Sequence, residues 1–409
     1  MKRWVMVSLV AALALSLVAS GCSTAGNTDG HEGKTPIKIG VITAITGSQA
    51  AFGGAHKRGY EVALEEINAA GGVLGRPIQL VYEDDGSKPE GAIAAADKLV
   101  NQDKVPLILG SYSSESTLAL VKKMADAKVP LVAPTATAGN VTEQGSKYVF
   151  RICAPSSVYA YDMLDFIKKY LPEARTIALV YESTNFGKGT ADGMKKAAAK
   201  AGLQVVADEQ YTAGSPDYKP LLTRVKQKNP DVIYFGSYLL DATLLMRQAR
   251  EVDLNPRAYT AAGTGFSSME FISDQGAGKD AEYTLSVTQW MPDAKWAGSR
   301  EFDQKVFAKF GKHPQYHDMQ AYAALKVAVE AIKKANSLDR EKLRESLASL
   351  DLKDTPFGPI KFDEKGQNDH PTLITQVQNG KYVTVYPEEA ATGKPILPTP
   401  AWGQGTGAR

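Results

Sequence analysis

Two clusters of hydroxyl side chains have the residue types and positions to bind a carboxylate. The first is Gly110-Ser111-Tyr112-Ser113-Ser114-Glu115-Ser116-Thr117, between a strand that ends at Leu109 and a helix expected to begin near Ser114. The second is Ala133-Pro134-Thr135-Ala136-Thr137, at the carboxyl end of the next strand. Helix N-termini attract anions through free backbone N–H groups and the macrodipole, and open α/β sheets bind ligands at the carboxyl ends of their strands. The local alternative stays open: Ser114 as a simple N-cap, and Thr135 and Thr137 as ordinary turn residues.

The sequence lacks the motifs of nucleotide and metal chemistry. Gly-x-x-x-x-Gly-Lys-Ser/Thr, Gly-x-Gly-x-x-Gly and His-Glu-x-x-His do not occur. His313 and His317 have i, i+4 spacing, but Pro314 between them disfavours a regular helix, and no cysteine or acidic cluster completes a metal site. The serines near Glu115 lack the Gly-x-Ser-x-Gly elbow of a nucleophile. We therefore expect a non-enzymatic binding protein without metal or cofactor, with the two histidines at the surface or lining a cleft.

Composition and charge are those of an ordinary globular chain. The 409 residues are 44% hydrophobic and 22% charged, enough for two domains. The formal net charge is 47 − 45 = +2, and removal of Lys2 and Arg3 would bring it to about zero, so no nucleic-acid partner is indicated. Cys22 and Cys153 are the only cysteines. We expect Cys153 to be a small buried apolar residue on a strand.

The N-terminus has the layout of a bacterial secretory signal. Lys2 and Arg3 precede an apolar run from Trp4 to Val18, which is short for a membrane span. Small residues then lead directly into Cys22, so that the segment resembles a lipobox. We expect residues 1–21 to be a signal peptide, Cys22 to be lipidated, and residues 22–36 to form a flexible tether. The alternative is an ordinary signal with a chance cysteine. The protein is expected to be exported and anchored to the cell envelope, on a membrane that the sequence does not identify.

Short β-branched runs alternate with helical patterns along most of the chain. Strands are expected at residues 37–43, 78–82, 105–109 and 129–132, and in a second series at residues 176–181, 203–206 and 231–235. This alternation predicts an α/β fold with parallel strands and crossover helices. Asn379-Gly380 predicts a hairpin turn. Residues 388–409, rich in Gly, Pro, Thr and Ala, are expected to be disordered.

From Ile37 to Tyr386 the chain resembles the leucine/isoleucine/valine-binding proteins, which are type I periplasmic binding proteins of ABC importers. The matching pieces are Gly47 through Phe52-Gly53, Glu66-Ile67-Asn68-Ala69-Ala70-Gly71-Gly72, Asp84-Asp85, Ala133-Pro134-Thr135-Ala136-Thr137, Asn185-Phe186-Gly187, Tyr234-Phe235-Gly236-Ser237-Tyr238, Arg247-Gln248-Ala249 and Tyr322-Ala323-Ala324-Leu325. The resemblance implies two three-layer α/β lobes with parallel central sheets, joined by three crossover segments. Lobe one would comprise residues 37–154 and 285–356, and lobe two residues 155–284 and 357–387.

The resemblance also implies a ligand site between the lobes. Ser114, Thr135 and Thr137 would hold a ligand carboxylate through hydroxyl and main-chain groups. Phe52, Phe186 and Tyr238 would form the walls of the cleft. The family often has Tyr where this chain has Phe52 and Phe186, which makes the cleft more apolar. The amino-acid binders place a glutamate, which pairs with the ligand ammonium, where this chain has Ala262. Either another acid (Glu115, Glu182 or Asp241) reaches the ligand nitrogen, or the ligand has no ammonium.

The resemblance implies a monomeric, lipid-anchored receptor that delivers its solute to ABC permease subunits. Its ligand would be a small apolar amino acid of the branched-chain type or a related carboxylate. An aromatic or aliphatic carboxylate or amide without an ammonium remains an alternative. A lipoprotein activator or sensor subunit, acting by protein-protein contact, is the alternative of another class.

Overall fold

The computed structural model describes residues 35–403, in which the strands form two separate main sheets. The first sheet has five strands in the order β2-β1-β3-β4-β5, all parallel. These strands are β1 (Ile37–Thr43), β2 (Ile78–Asp84), β3 (Ile108–Leu109), β4 (Leu131–Ala133) and β5 (Val149–Arg151). β1 is buried at every position but one, as expected for a parallel strand covered by helices on both faces.

Six helices accompany the first sheet. They are α1 (Ala50–Ala69), α2 (Pro89–Asn101) and α3 (Ser114–Ala127), and, from later in the chain, α8 (Ser299–Phe310), α9 (Tyr316–Ala335) and α10 (Arg340–Ala348). A two-stranded ribbon of β11 (Asp351–Leu352) and β12 (Ile360–Lys361) completes this lobe. Gly59 lets α1 lie close to α9, since a Cβ there would stand 1.9 Å from the Asp318 carbonyl oxygen. The close approach sets Phe52 of α1 beside His317 of α9.

The second sheet has seven strands in the order β14-β13-β10-β9-β8-β6-β7. They are β6 (Thr176–Glu182), β7 (Gln204–Tyr211), β8 (Val232–Gly236), β9 (Ala258–Ala261), β10 (Leu285–Thr288), β13 (Leu373–Gln378) and β14 (Lys381–Tyr386). The helices of this lobe are α4 (Ser156–Tyr170), α5 (Asn185–Ala201), α6 (Lys219–Gln227) and α7 (Leu239–Glu251). The expected hairpin at Asn379-Gly380 is confirmed, with φ of 53° and 70°. Because β13 and β14 are antiparallel, this sheet is mixed, which corrects the expectation of two parallel sheets.

The two-lobed α/β fold is confirmed, but its internal boundaries differ from those expected. Leu285–Thr288 forms β10 in the second sheet, paired with β9 and β13, and so belongs to lobe two. Phe357, Ile360 and Phe362 pack in the core of lobe one, with Trp290. The second and third crossovers therefore lie between Thr288 and Trp290 and between Phe362 and Leu373. These boundaries depend on which strands pair and which residues share a core. Both are tertiary properties, which local sequence patterns do not specify.

The segment after β14 is ordered where it is described, contrary to the expectation of disorder for residues 388–409. The Ile396 amide donates to Gln376 Oε1 at 2.8 Å, and Trp402 Nε1 donates to the Leu254 carbonyl oxygen at 2.6 Å. A side-chain oxygen and a backbone carbonyl oxygen of lobe two thus bind a segment whose composition alone indicates no structure.

Three further expectations from the sequence concern the N-terminal segment, a membrane span and the cysteines. The signal segment and Cys22 lie outside the described residues. Within residues 35–403 no helix combines the length and apolarity that a membrane span requires. Cys153 is fully buried just after β5, and burial raises the pKa of its thiol to about 12, so this thiol is unreactive at neutral pH.

Candidate functional site

Aromatic rings from both lobes meet between the two sheets. Phe52 stacks on Tyr112 with ring centroids 4.6 Å apart, and His317 packs edge-on against Phe52 with ring centroids 5.0 Å apart. From lobe two, the Tyr238 ring lies 6.3 Å from Phe52 and 5.1 Å from Phe186. The structure thus brings together the three predicted wall residues. Tyr112 was not predicted, although its place between the serines at the end of β3 was a usable signal.

The N-terminus of α3 faces this aromatic cluster. Ser113, not Ser114, is the N-cap, because its Oγ accepts the Ser116 amide at 3.1 Å. Ser114 Oγ accepts the Ala138 amide at 3.1 Å, which joins the two predicted hydroxyl clusters. Burial raises the pKa of Tyr238 well above its usual value, the charges of Glu182 and Glu115 add to the rise, and a hydrogen bond from the Ser114 backbone opposes it. The Tyr238 hydroxyl therefore lies at the first turn of α3.

The two predicted threonines differ in what their hydroxyls do. Thr135 donates its hydroxyl hydrogen to the Tyr112 carbonyl oxygen at 2.8 Å, so that this hydroxyl positions the loop instead of pointing a donor at a ligand. Thr137 is 6% exposed, and no residue among 35–403 donates to or accepts from its hydroxyl. Of the two, Thr137 alone retains a free donor.

A buried arginine that sequence reasoning missed supports the same loop. Arg151, at the end of β5, donates from Nη1 to the Ala136 and Ala138 carbonyl oxygens at 3.0 and 2.5 Å. Its Nε donates to Gln367 Oε1, also at 2.5 Å, on the crossover side of lobe one. An arginine inside the apolar run 149–153 was the available signal, since a buried charge requires several hydrogen-bond partners.

An inter-lobe cavity of about 250 Å³ opens beside the aromatic cluster. It is lined by Ser48, Gln49, Ser87, Pro89, Ser113, Glu115, Glu182, Thr184, Ala213, Gly214, Tyr238, Leu240 and Asp241. All three acids named as alternatives to position 262 therefore border one cavity. Burial raises the pKa of Glu182 to about 8, and it also raises the pKa of Asp241.

Ala262 does not line this cavity. It is 1% exposed and packs in the core of lobe two, and its amide donates to the Phe235 carbonyl oxygen at 2.9 Å. Nearby, the Thr264 amide donates to Tyr316 Oη at 2.8 Å, a hydrogen bond between the lobes. The backbone after β9 thus reaches the cleft at Thr264, two residues beyond the position suggested by the resemblance.

The two histidines with helical spacing do not converge. His317 is 2% exposed and lines the cleft side of α9. His313 is exposed and lies 2.8 Å from Asp303 through its Nδ1. In the described part of the chain no group of three His, Cys, Asp or Glu side chains could hold a metal ion.

Two α/β lobes around a cleft that is lined from both sides define the class of two-lobed solute-binding proteins. The family model of the periplasmic binding proteins matches residues 36–381. A Leu/Ile/Val-binding protein homologue (homolog 7) of Brucella suis is 31% identical over 380 residues, covering 88% of this chain and 94% of that protein.

Solved structures agree with this class. The leucine-binding protein LivK of Thermotoga maritima is 29% identical with a TM-score of 0.79, covering 85% of this chain and 97% of that one. The branched-chain amino acid substrate-binding protein LivJ of Streptococcus pneumoniae, in complex with isoleucine, is 27% identical with a TM-score of 0.79 and covers 89% and 100%. The chain belongs to the periplasmic binding protein family, among the Leu/Ile/Val-binding proteins. Members of this family are exported substrate-binding proteins of ABC transporters.

Proposed function

We propose that this chain is the solute receptor of an ABC importer and captures a small apolar amino acid of the branched-chain type between its lobes. The observation that carries the proposal is the inter-lobe cavity, bordered by the first turn of α3 on one side and by Glu182, Asp241 and Tyr238 on the other. A helix N-terminus suits the ligand carboxylate, and the acids suit its ammonium. The rings of Phe52, Phe186 and Tyr238 suit an apolar side chain.

Ser114 and Thr137 are not among the residues that line the cavity, whose wall at this end includes Ser113. In this proposal they supply groups to the carboxylate from the first turn of α3 and from the adjoining loop, while Thr135 shapes the loop that carries Thr137. Ala262 contributes only to the core of lobe two. The relatives named above support the choice of ligand, since one is a leucine-binding protein and another holds isoleucine. Related carboxylates and amides are the competing ligands.

A thermal-shift panel tests the ligand class. It contains leucine, isoleucine, valine and phenylalanine, their 2-oxo acids, benzoate and small aliphatic amides. Stabilisation by the branched-chain amino acids, weaker with the oxo acids, is expected. Stabilisation by benzoate or amides alone would move the ligand to the alternative class, and no response to any compound would remove the proposal.

The proposal includes an anchor at Cys22 and delivery to ABC permease subunits by a monomer. Because lipid chains hold a protein at a membrane, Cys22→Ser should release the protein from membranes or leave it unprocessed. Wild-type protein that is wholly soluble and unacylated would contradict the anchor. Loss of solute uptake when the gene is deleted, restored by the wild-type gene, tests the role in transport.

A further inference from the structure

One carboxylate of the inter-lobe cavity has an oxygen without a partner. Glu182 is 0% exposed, and its Oε1 accepts the Thr184 hydroxyl at 2.5 Å. Its Oε2 is buried and meets no donor with hydrogen-bond geometry among the described residues, although the Tyr238 backbone N–H faces this carboxylate closely enough to lower its pKa. Buried polar atoms nearly always have a hydrogen-bond partner. Glu182 Oε2 is therefore an acceptor that the protein itself does not use and that remains available to a ligand donor.

The other two acids at the cavity have partners. Glu115 accepts from both the backbone N–H and the side-chain Nδ2 of Asn185, the latter at 2.6 Å. Asp241 Oδ1 accepts the Tyr218 hydroxyl at 2.7 Å and the Gly214 amide at 2.9 Å. These bonds use both oxygens of Glu115 and only Oδ1 of Asp241 in holding local structure. Glu182 differs from both in having a fully buried oxygen, Oε2, without a hydrogen-bond partner among the described residues, and this makes Glu182 the buried acid that we assign to the ligand.

The charges of the residues that line the cavity determine whether the ligand group bound at Glu182 is a cation or an anion. Among the described residues, the lining contains three acids and no Lys, Arg or His. The ring of Tyr238 also lines the cavity and can attract a cation through its face. A second anion at this end would meet only like charge, whereas an N–H cation would gain both a hydrogen bond and charge pairing.

We propose that Glu182 is the acceptor for the ligand's cationic nitrogen, so that the solute carries an ammonium and binds with it at the lobe-two end of the cavity. This inference rests on the proposed function and adds the residue that takes over from the glutamate that position 262 lacks. Because the ammonium and the carboxylate of an α-amino acid are attached to the same carbon atom, the carboxylate then faces the first turn of α3 while the ammonium faces Glu182.

Calorimetric titration of wild type, Glu182→Gln and Asp241→Asn with leucine and with its 2-oxo acid tests the inference. Glutamine keeps the shape and the Thr184 contact but removes the charge. A hydrogen bond to a charged group contributes about 1.5–3 kcal/mol. Leucine should therefore bind Glu182→Gln roughly ten- to a hundredfold more weakly. The oxo acid, which has no ammonium, should not lose affinity in this variant. Asp241→Asn is the matched control and should bind leucine nearly as wild type does.

The outcomes separate the inference from the proposed function. Unchanged leucine affinity in Glu182→Gln, with wild type binding leucine, overturns the inference and leaves the proposed function standing. A larger loss in Asp241→Asn than in Glu182→Gln also overturns it. If wild type binds neither leucine nor the oxo acid, both fail. A melting temperature of ligand-free Glu182→Gln at or above that of wild type verifies folding and excludes a merely structural role.

Discussion

Glu115 of α3 and Asn185 of α5 join the two lobes directly across the cleft. The carboxylate of Glu115 accepts the Asn185 backbone N–H through one oxygen and the side-chain Nδ2, at 2.6 Å, through the other. Both residues stand in the first turn of their helices, and these turns come from opposite lobes. Together with the hydrogen bond between Thr264 and Tyr316, this pair holds the lobes closed beside the cavity.

Loss of the Glu115 carboxylate should favour the open form. Glu115→Ala removes both bonds to Asn185, so the ligand-free variant should have a larger radius of gyration in small-angle scattering than wild type. A saturating ligand that contacts both lobes binds the closed form better and should restore the smaller value. Asp126→Ala is the control, because Asp126 is exposed at the far end of α3 and its one ion pair within residues 35–403 is with Lys122. Equal radii for Glu115→Ala and the control would contradict this account of closure.

Substitution of Thr137 should lower ligand affinity, whereas substitution of Thr135 should lower the free energy of unfolding. Thr137→Val removes a hydroxyl with no partner among the described residues, so stability should hold while carboxylate affinity falls roughly ten- to a hundredfold. Thr135→Val breaks the bond to the Tyr112 carbonyl oxygen and should cost about 1 kcal/mol of unfolding free energy. Denaturant unfolding and calorimetry of both variants measure the two effects. The reverse pattern would exchange the roles assigned to the two threonines.

Arg151 should matter for stability and, through the loop it holds, for affinity. Arg151→Met leaves the Ala136 and Ala138 carbonyl oxygens and Gln367 without their donor. We expect a loss of about 3 kcal/mol or more in unfolding free energy, since each hydrogen bond to a charged group contributes about 1.5–3 kcal/mol. Arg151→Lys should recover part of this loss. Chemical denaturation measures it, and wild-type stability in Arg151→Met would show that the network contributes nothing.

The raised pKa of the Glu182 carboxyl makes the free energy of unfolding depend on pH. Its pKa rises from 4.5 to about 8, first through burial, with the charges of Asp241 and Glu115 adding to the rise and bonds from Thr184 and the Tyr238 backbone opposing it. Between these values the unfolded chain has lost this proton and the folded chain retains it, so stability falls as pH rises. The Tyr112 and Tyr211 hydroxyls also face this group and stay protonated there.

Glu182→Gln isolates this contribution. The stability difference between the variant and wild type should grow in favour of the variant from about pH 4.5 to pH 8, the two values between which the pKa shifts. At pH 7, leucine binding to wild type should release up to about one proton, because a cation favours the charged carboxylate. Calorimetry in buffers of different ionisation enthalpy measures the release. A parallel pH profile for both proteins, or equal proton release, would contradict the raised pKa.

Local sequence patterns were enough to predict much of the fold. Alternating β-branched runs and helical segments specified two α/β series, and Asn379-Gly380 specified the hairpin. The direction of β13 and the lobe of Leu285–Thr288 depend on which strands pair, and pairing is decided by the assembled core. In the site, residue type predicted the aromatic walls. It could not show that the Thr135 hydroxyl is used within the protein, or that Ala262 faces the core.

Calorimetric titration of the purified protein with leucine, isoleucine and valine tests the central claim most directly. We expect saturable binding of at least one of them at one ligand per chain, with affinity reduced by Thr137→Val. The absence of saturable heat for all three amino acids would contradict it, as would binding that Thr137→Val leaves unchanged.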